Sequence, residues 1–122
     1  MMIFYLKSRN HIFYAEGIYN PDNNHLTVLE GAQISPTSTL VLGSGRNKWL
    51  KTKSKYVKDG YLTQDLEFKT PSTAATFVSG TSMNGYIRWK TKDGMAIRNF
   101  LYQHCTNIQR ENLTYERLTK RR

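Results

Sequence analysis

Three short runs rich in aromatic and β-branched residues open the chain: residues 2–8 (MIFYLKS), 11–19 (HIFYAEGIY) and 25–31 (HLTVLEG). Turn chemistry separates them, first Arg9-Asn10 and then Asn20-Pro21-Asp22-Asn23-Asn24. Aromatic and β-branched side chains fit a pleated, half-buried surface, while Asn, Asp and Pro supply turn conformations. The pattern predicts three antiparallel strands in a meander. A chain of 122 residues makes one domain with a real but modest core.

The segment from Ala32 to Gly45 is rich in Ser, Thr and Gly and reads as a loop, with Leu40, Val41 and Leu42 as its anchors. A helix is expected over Arg46–Asp59 (RNKWLKTKSKYVKD), stopping at Gly60 as a C′ residue. At about 100° per residue, Trp49, Leu50, Tyr56 and Val57 share an arc of roughly 120°. Lys48, Lys51, Lys55 and Lys58 share an arc of about 80° on the other side. Tyr61 to Lys69 reads as extended, with room for two short strands. Thr70-Pro71 supplies an N-cap and a proline at N1, opening a helix through Ser79 that ends at Gly80. Its Ala74, Ala75 and Val78 share one face, with Phe77 at the edge. Asn84-Gly85 is a turn signal, Tyr86 to Lys90 a strand, Lys92-Asp93-Gly94 a second turn, and Met95 to Leu101 a return strand or short helix.

The expected class is α+β: an antiparallel sheet, made of the N-terminal meander plus later strands, packed with two short helices. Residues 1–101 form the single domain, and residues 102–122 a basic C-terminal extension, helical or disordered. Trp49, Leu50, Val57, Phe68, Phe77, Val78, Ile87 and Trp89 are the expected core.

Charge is localised. Of the net +9, residues 44–60 hold +5, residues 81–98 hold +3 and residues 99–122 hold +3, while the remaining segments are slightly acidic. Two segments and a tail with excess positive charge are what an anion-binding surface needs. Membrane surfaces and acidic proteins attract such a patch too, so charge alone does not choose among them. Cys105 is the only cysteine, so an internal disulfide or a cysteine zinc site has no ligands. His11, His25 and His104 are isolated from one another, so no metal or other cofactor is expected. No run approaches the ~20 apolar residues of a membrane span, and MMIFYL is too short for a signal-peptide core. The expected setting is soluble and cytoplasmic, with no membrane partner.

The candidate phosphate-binding residues are Arg46, Lys48, Lys51, Lys55 and Lys58 on the basic helix, with Arg88, Lys90 and Lys92 in the second basic segment. On a strand, Tyr86, Arg88 and Lys90 point to one face and Ile87 and Trp89 to the other. Tyr86 could then stack on a base, and the Asn84 amide could read an adenine edge, although asparagine before glycine commonly just makes a turn. Arg117, Lys120, Arg121 and Arg122 form either a phosphate-binding arm or a solubilising end. Asp65 and Glu67 alternate as on one strand face, but two carboxylates are fewer than metal-dependent nucleic-acid chemistry gathers. Ser72 and Ser79 have no histidine nearby in sequence. No catalytic residue is assigned.

Several strings, FYLK (4–7), VLEGAQIS (28–35) and DGYLTQDLEFKTPSTAATFVSGTSMNGYIRWKTKDG (59–94), together resemble the domain of unknown function family DUF4357. The most specific block is Pro71-Ser72 to Gly80, then Asn84-Gly85, then Trp89-Lys90. The likeness spans residues 2 to about 101; Tyr86 stands where the family has tryptophan, Thr70 where it has serine, and the C-terminal tail lies outside the pattern. In that family the domain commonly follows a GIY-YIG nuclease domain or accompanies restriction-system proteins. Its core motif is similar to the restriction-adenine-methylase-associated (RAMA) domain, proposed to sense modified bases. The resemblance therefore implies DNA handling by an accessory module. Gly17-Ile18-Tyr19 spells the nuclease triplet, but residues 29–31 are Leu-Glu-Gly, and no arginine–glutamate constellation follows.

The expectation is a non-catalytic module of a restriction- or nuclease-type system that binds double-stranded DNA and senses modified bases. Its partners would be nucleic acid and a nuclease or restriction protein. The rival is an interaction or inhibitory module whose basic face engages an acidic protein.

Overall fold

The computed structural model describes residues 2–40 and 44–109. In chain order its elements are β1 (Ile3–Lys7), β2 (Tyr14–Asn20), β3 (His25–Val28), α1 (Ser44–Tyr56), β4 (Val57–Lys58), β5 (Tyr61–Leu62), β6 (Leu66–Phe68), α2 (Pro71–Ser79), α3 (Gly85–Arg88) and α4 (Ile97–Gln109). The fold is α+β. The meander forms as its alternation dictates, and β6 joins it to give the antiparallel order β1-β2-β3-β6. Phe4 lies opposite Gly17, Gly17 opposite Val28, and Val28 opposite Leu66, so one inward row crosses all four strands. Two residues along, Tyr19, Leu26 and Phe68 make the next.

α2 lies across that inward face. Thr70 caps it, accepting a hydrogen bond from the Thr73 N–H at 3.1 Å, and Gly80 ends it in the left-handed conformation. Ala74, Ala75 and Val78 are fully buried beneath the sheet residues Phe4, Leu26 and Val28. Small side chains on α2 let helix and sheet approach closely, and Phe77 fills the margin against Phe68, ring centroids 5.4 Å apart. The two tryptophans hold α2 at opposite ends. The Trp89 indole N–H donates to the Pro71 carbonyl at 3.0 Å, and that of Trp49 donates to the Phe77 carbonyl at 3.0 Å.

Three expected elements differ. The basic helix stops at Tyr56 rather than Asp59, because Asp59 (φ 55°) and Gly60 (φ 87°) both take positive φ in the two-residue turn of the β4–β5 hairpin. Asp-Gly is a favoured pair for such a turn. Residues 86–90 form no strand: Gly85–Arg88 is a helical turn, and only Lys90 bridges to Tyr5. On a helix residues two apart lie about 200° around, which separates Ile87 from Trp89. Trp89 is accordingly buried while Ile87 is exposed. Beyond Ala96, which bridges to Lys90, α4 begins at Ile97 and runs on past residue 101.

Of the expected core, Trp49, Phe77, Val78 and Trp89 are buried and Val57 and Phe68 half-buried, whereas Leu50 is 48% exposed. Residues 41–43, with Val41 and Leu42, and residues 110–122, with Arg117, Lys120, Arg121 and Arg122, lie outside the described residues. Among the described residues no helix is long and apolar enough to cross a membrane.

Candidate nucleic-acid interface

α1 turns inward the side that carries Trp49 and Tyr56, as its pattern suggests, but that side excludes Leu50. Its inward stripe is Arg46, Trp49, Lys53 and Tyr56, with Trp49 buried and the others half-buried, at helical spacings of three, four and three. Lysine and arginine stems pack as hydrocarbon, and their heads here find carbonyl oxygens. Arg46 Nη2 donates to the Ser38 and Leu40 carbonyls at 3.1 and 3.0 Å. Lys53 Nζ donates to the Ser35 carbonyl at 3.0 Å and lies 4.7 Å from the centre of the Trp49 ring. Arg46 therefore tethers the preceding loop and leaves the phosphate set. That inward axis turns Leu50 toward solvent.

Lys48, Lys51 and Lys55 occupy an arc of about 60° directly opposite the inward stripe. All three are exposed, and α1 carries no acidic residue in its first turn. The one basic–acidic side-chain contact among the described residues is His25–Glu67 at 2.6 Å, so no carboxylate of the described residues pairs with the three ammonium groups. Lys58 does not extend this stripe along the helix. It stands on β4 opposite Tyr61.

Arg88, Lys90 and Lys92 are exposed but sit on three different pieces of backbone: the end of α3, the bridge to Tyr5, and the turn before Gly94. α3 packs against α2 and α4 and is joined to the first residue of α2, whereas Trp49 joins α1 to the opposite end of α2. The two basic groups thus stand on elements fastened to opposite ends of α2.

Asn84 caps α3, its Oδ1 accepting from the Tyr86 N–H at 3.0 Å. The Tyr86 hydroxyl accepts from Asn24 Nδ2 at 2.7 Å, and Asn24 Oδ1 accepts from the Tyr19 hydroxyl at 2.6 Å. This chain of bonds ties α3 to the β2–β3 turn, where Asn24 has φ 67°. Tyr86, half-buried, is thereby bonded within the fold, and exposed Asn84 uses its Oδ1 as a cap. Asp65 Oδ1 accepts from the Glu30 N–H at 2.8 Å, and Glu67 is the partner of His25. Gly17-Ile18-Tyr19 lies in mid-β2, where a Cβ on Gly17 would come within 2.7 Å of the Leu26 side chain and 3.2 Å of Trp89. The triplet is sheet packing.

The residues of the most specific sequence block converge at the α2–α3 joint. The Gly85 N–H donates to Ser72 Oγ at 2.9 Å, and a Cβ on Gly85 would collide with the Pro71 carbonyl that Trp89 also reaches. Thr70, Pro71, Ser72, Asn84, Gly85 and Trp89 form one clasp. The family model described as Domain of unknown function (DUF4357) matches residues 4–101. The chain belongs to this family. No curated protein and no solved structure matches it. The residues of the clasp lie within the matched span, and Lys48, Lys51 and Lys55 lie outside the clasp.

Proposed function

We propose that this DUF4357 chain is a non-catalytic DNA-binding accessory module of a cytoplasmic restriction- or nuclease-type system, holding duplex DNA through Lys48, Lys51 and Lys55. The observation that carries the reading is the exposed lysine face of α1, which pairs with no carboxylate among the described residues. From Lys48 to Lys55 the helix rises about 10 Å, a length over which duplex DNA presents several phosphates. Arg88, Lys90, Lys92 and Lys58 add charge from other elements and steer rather than grip. Base sensing through Asn84 and Tyr86 is no part of the proposal, because capping and the Asn24 bond already engage both residues.

One feature of the same helix favours a second reading. Leu50, 48% exposed, flanks the lysines and would anchor an acidic protein surface better than a phosphate backbone. Lys51→Glu/Lys55→Glu separates the two. Duplex affinity measured by fluorescence anisotropy across a salt series should fall at least tenfold, with the log–log salt slope shallower by about 0.9 for each phosphate that is no longer neutralised. Unchanged affinity and slope would remove α1 from any DNA interface.

A further inference from the structure

The sheet has a second face, and among the described residues no helix covers it. On that face, cross-strand partners line up in a row of five residues drawn from five separate segments. Lys58 pairs with Tyr61, Tyr61 bridges to Gln33, Gln33 bridges to Tyr14, and Tyr14 pairs with Lys7. Cross-strand partners point to the same side of a sheet, and their chain neighbours point to the other. Burial agrees: Leu6, Phe13, Ala15, Ala32, Ile34 and Leu62 face the core, while Tyr14 is 38% and Tyr61 53% exposed. At the usual strand spacing the row is about 19 Å long. Its composition is Lys-Tyr-Gln-Tyr-Lys.

The row is held in place. Gln33 Nε2 donates to the His11 and Ile12 carbonyls at 3.0 and 3.3 Å, and backbone bonds join Gln33 to Tyr14 in both directions at 3.0 and 2.7 Å. The β1–β2 turn is itself fixed by Ser8, whose Oγ accepts from the Ile12 and Phe13 N–H groups at 2.6 and 3.1 Å. In the adjoining row Lys90, Tyr5 and Glu16 are partners, and the Tyr5 and Tyr14 ring centroids are 6.5 Å apart. Glu16 Oε2 accepts from the Tyr14 hydroxyl at 3.2 Å, and Asp59 lies in the turn beyond Lys58. Three lysines still border the tyrosines on three sides.

We propose that this open face is a stacking platform for single-stranded nucleic acid, with Tyr14 and Tyr61 under two bases of one strand and Lys7, Lys58 and Lys90 on the backbone. Rigid aromatic faces bordered by cations suit a strand whose bases are unpaired. A duplex offers no free base face, and an apolar peptide would gain nothing from the lysines. The proposal does not rest on the lysines of α1, which lie on another element and address a duplex.

The test compares a labelled oligothymidylate with a duplex, both by anisotropy. Tyr14→Ala/Tyr61→Ala should weaken oligothymidylate binding about tenfold per tyrosine at an unchanged salt slope, and leave duplex binding as it was. Tyr14→Phe/Tyr61→Phe should bind the single strand like the parent, since the ring faces remain. Lys51→Glu/Lys55→Glu should spare the single strand. Thermal melts check folding; if the double alanine variant is unfolded, Tyr61→Ala alone, at the more exposed position, is read instead. Failure of the parent chain to bind oligothymidylate, parent-like binding by the alanine variants, or equal losses with alanine and phenylalanine would each overturn the proposal. Loss of the α1 reading alone would show as a duplex that fails to bind while the single strand still does.

Discussion

At the scale of single residues, the clasp makes the sharpest demands. A Cβ at Gly85 meets backbone rather than a yielding side chain, so Gly85→Ala must push α3 away from α2. The cost should reach the upper end of the ~1–3 kcal/mol typical of overpacking, read from urea unfolding. Trp89→Phe keeps most of the packing but removes the donor to the Pro71 carbonyl, and should cost about 1–3 kcal/mol. A loss under ~0.5 kcal/mol would mean that the indole bond contributes nothing net. Tyr14 makes a different demand. Its partial burial, then its hydrogen bond and proximity to the Glu16 carboxylate, hold its phenol pKa above the usual value. A raised phenol pKa favours the neutral form in the folded state. The associated stability is therefore complete below about pH 10 and is lost as pH rises through the folded pKa. Tm measured from pH 9 upward should fall less steeply for Tyr14→Phe than for the parent.

Whole elements show where local sequence suffices and where it does not. The meander and α2 are legible because each carries its own punctuation: alternating side chains between turn residues in one, and Thr70-Pro71 with Gly80 in the other. The end of α1 misleads because Gly60 suits both a helix C′ position and a hairpin turn; Asp59 before it, favouring the hairpin, is the signal that decides. The 86–90 segment alternates like a strand, yet Asn84 caps a helical turn that long-range bonds hold, Trp89 among them by reaching a carbonyl 18 residues away. For the interface, the lysines of α1 are readable, while the inward turn of Arg46 and Lys53 is not, since hydropathy ranks both as surface residues. The tyrosine row is hidden altogether, because its bridges join positions far apart in sequence. Phe77→Ala tests the element on which these others depend. Phe77 is 5% exposed against Phe68, and its backbone carbonyl receives Trp49, a bond that truncation of the side chain leaves in place. The variant should lose ~3–5 kcal/mol from buried area and cavity alone.

Across the whole molecule, α2 divides the positive charge. Trp49 fastens α1 to its C-terminal half and Trp89 fastens α3 to its first residue, which leaves Lys48, Lys51 and Lys55 at one end and Arg88 and Lys92 at the other. From Pro71 to Phe77, the residues to which α3 and α1 are fastened, the helix axis advances about 9 Å. Their separation then approaches or exceeds the Debye length of ~8–10 Å at ordinary ionic strength. Charges so placed act on a bound polyanion nearly independently, so their effects should add. Arg88→Glu/Lys92→Glu should slow association and weaken duplex binding modestly, keeping most of the salt slope, because long-range steering is screened while close phosphate contacts release counterions. Lys51→Glu/Lys55→Glu should take the larger share of both affinity and slope. The quadruple variant should lose the sum of the two effects to within ~0.3–0.5 kcal/mol. A loss well short of that sum would place all four cations on one continuous phosphate track, and a duplex would then have to bend around the end of α2 to reach both.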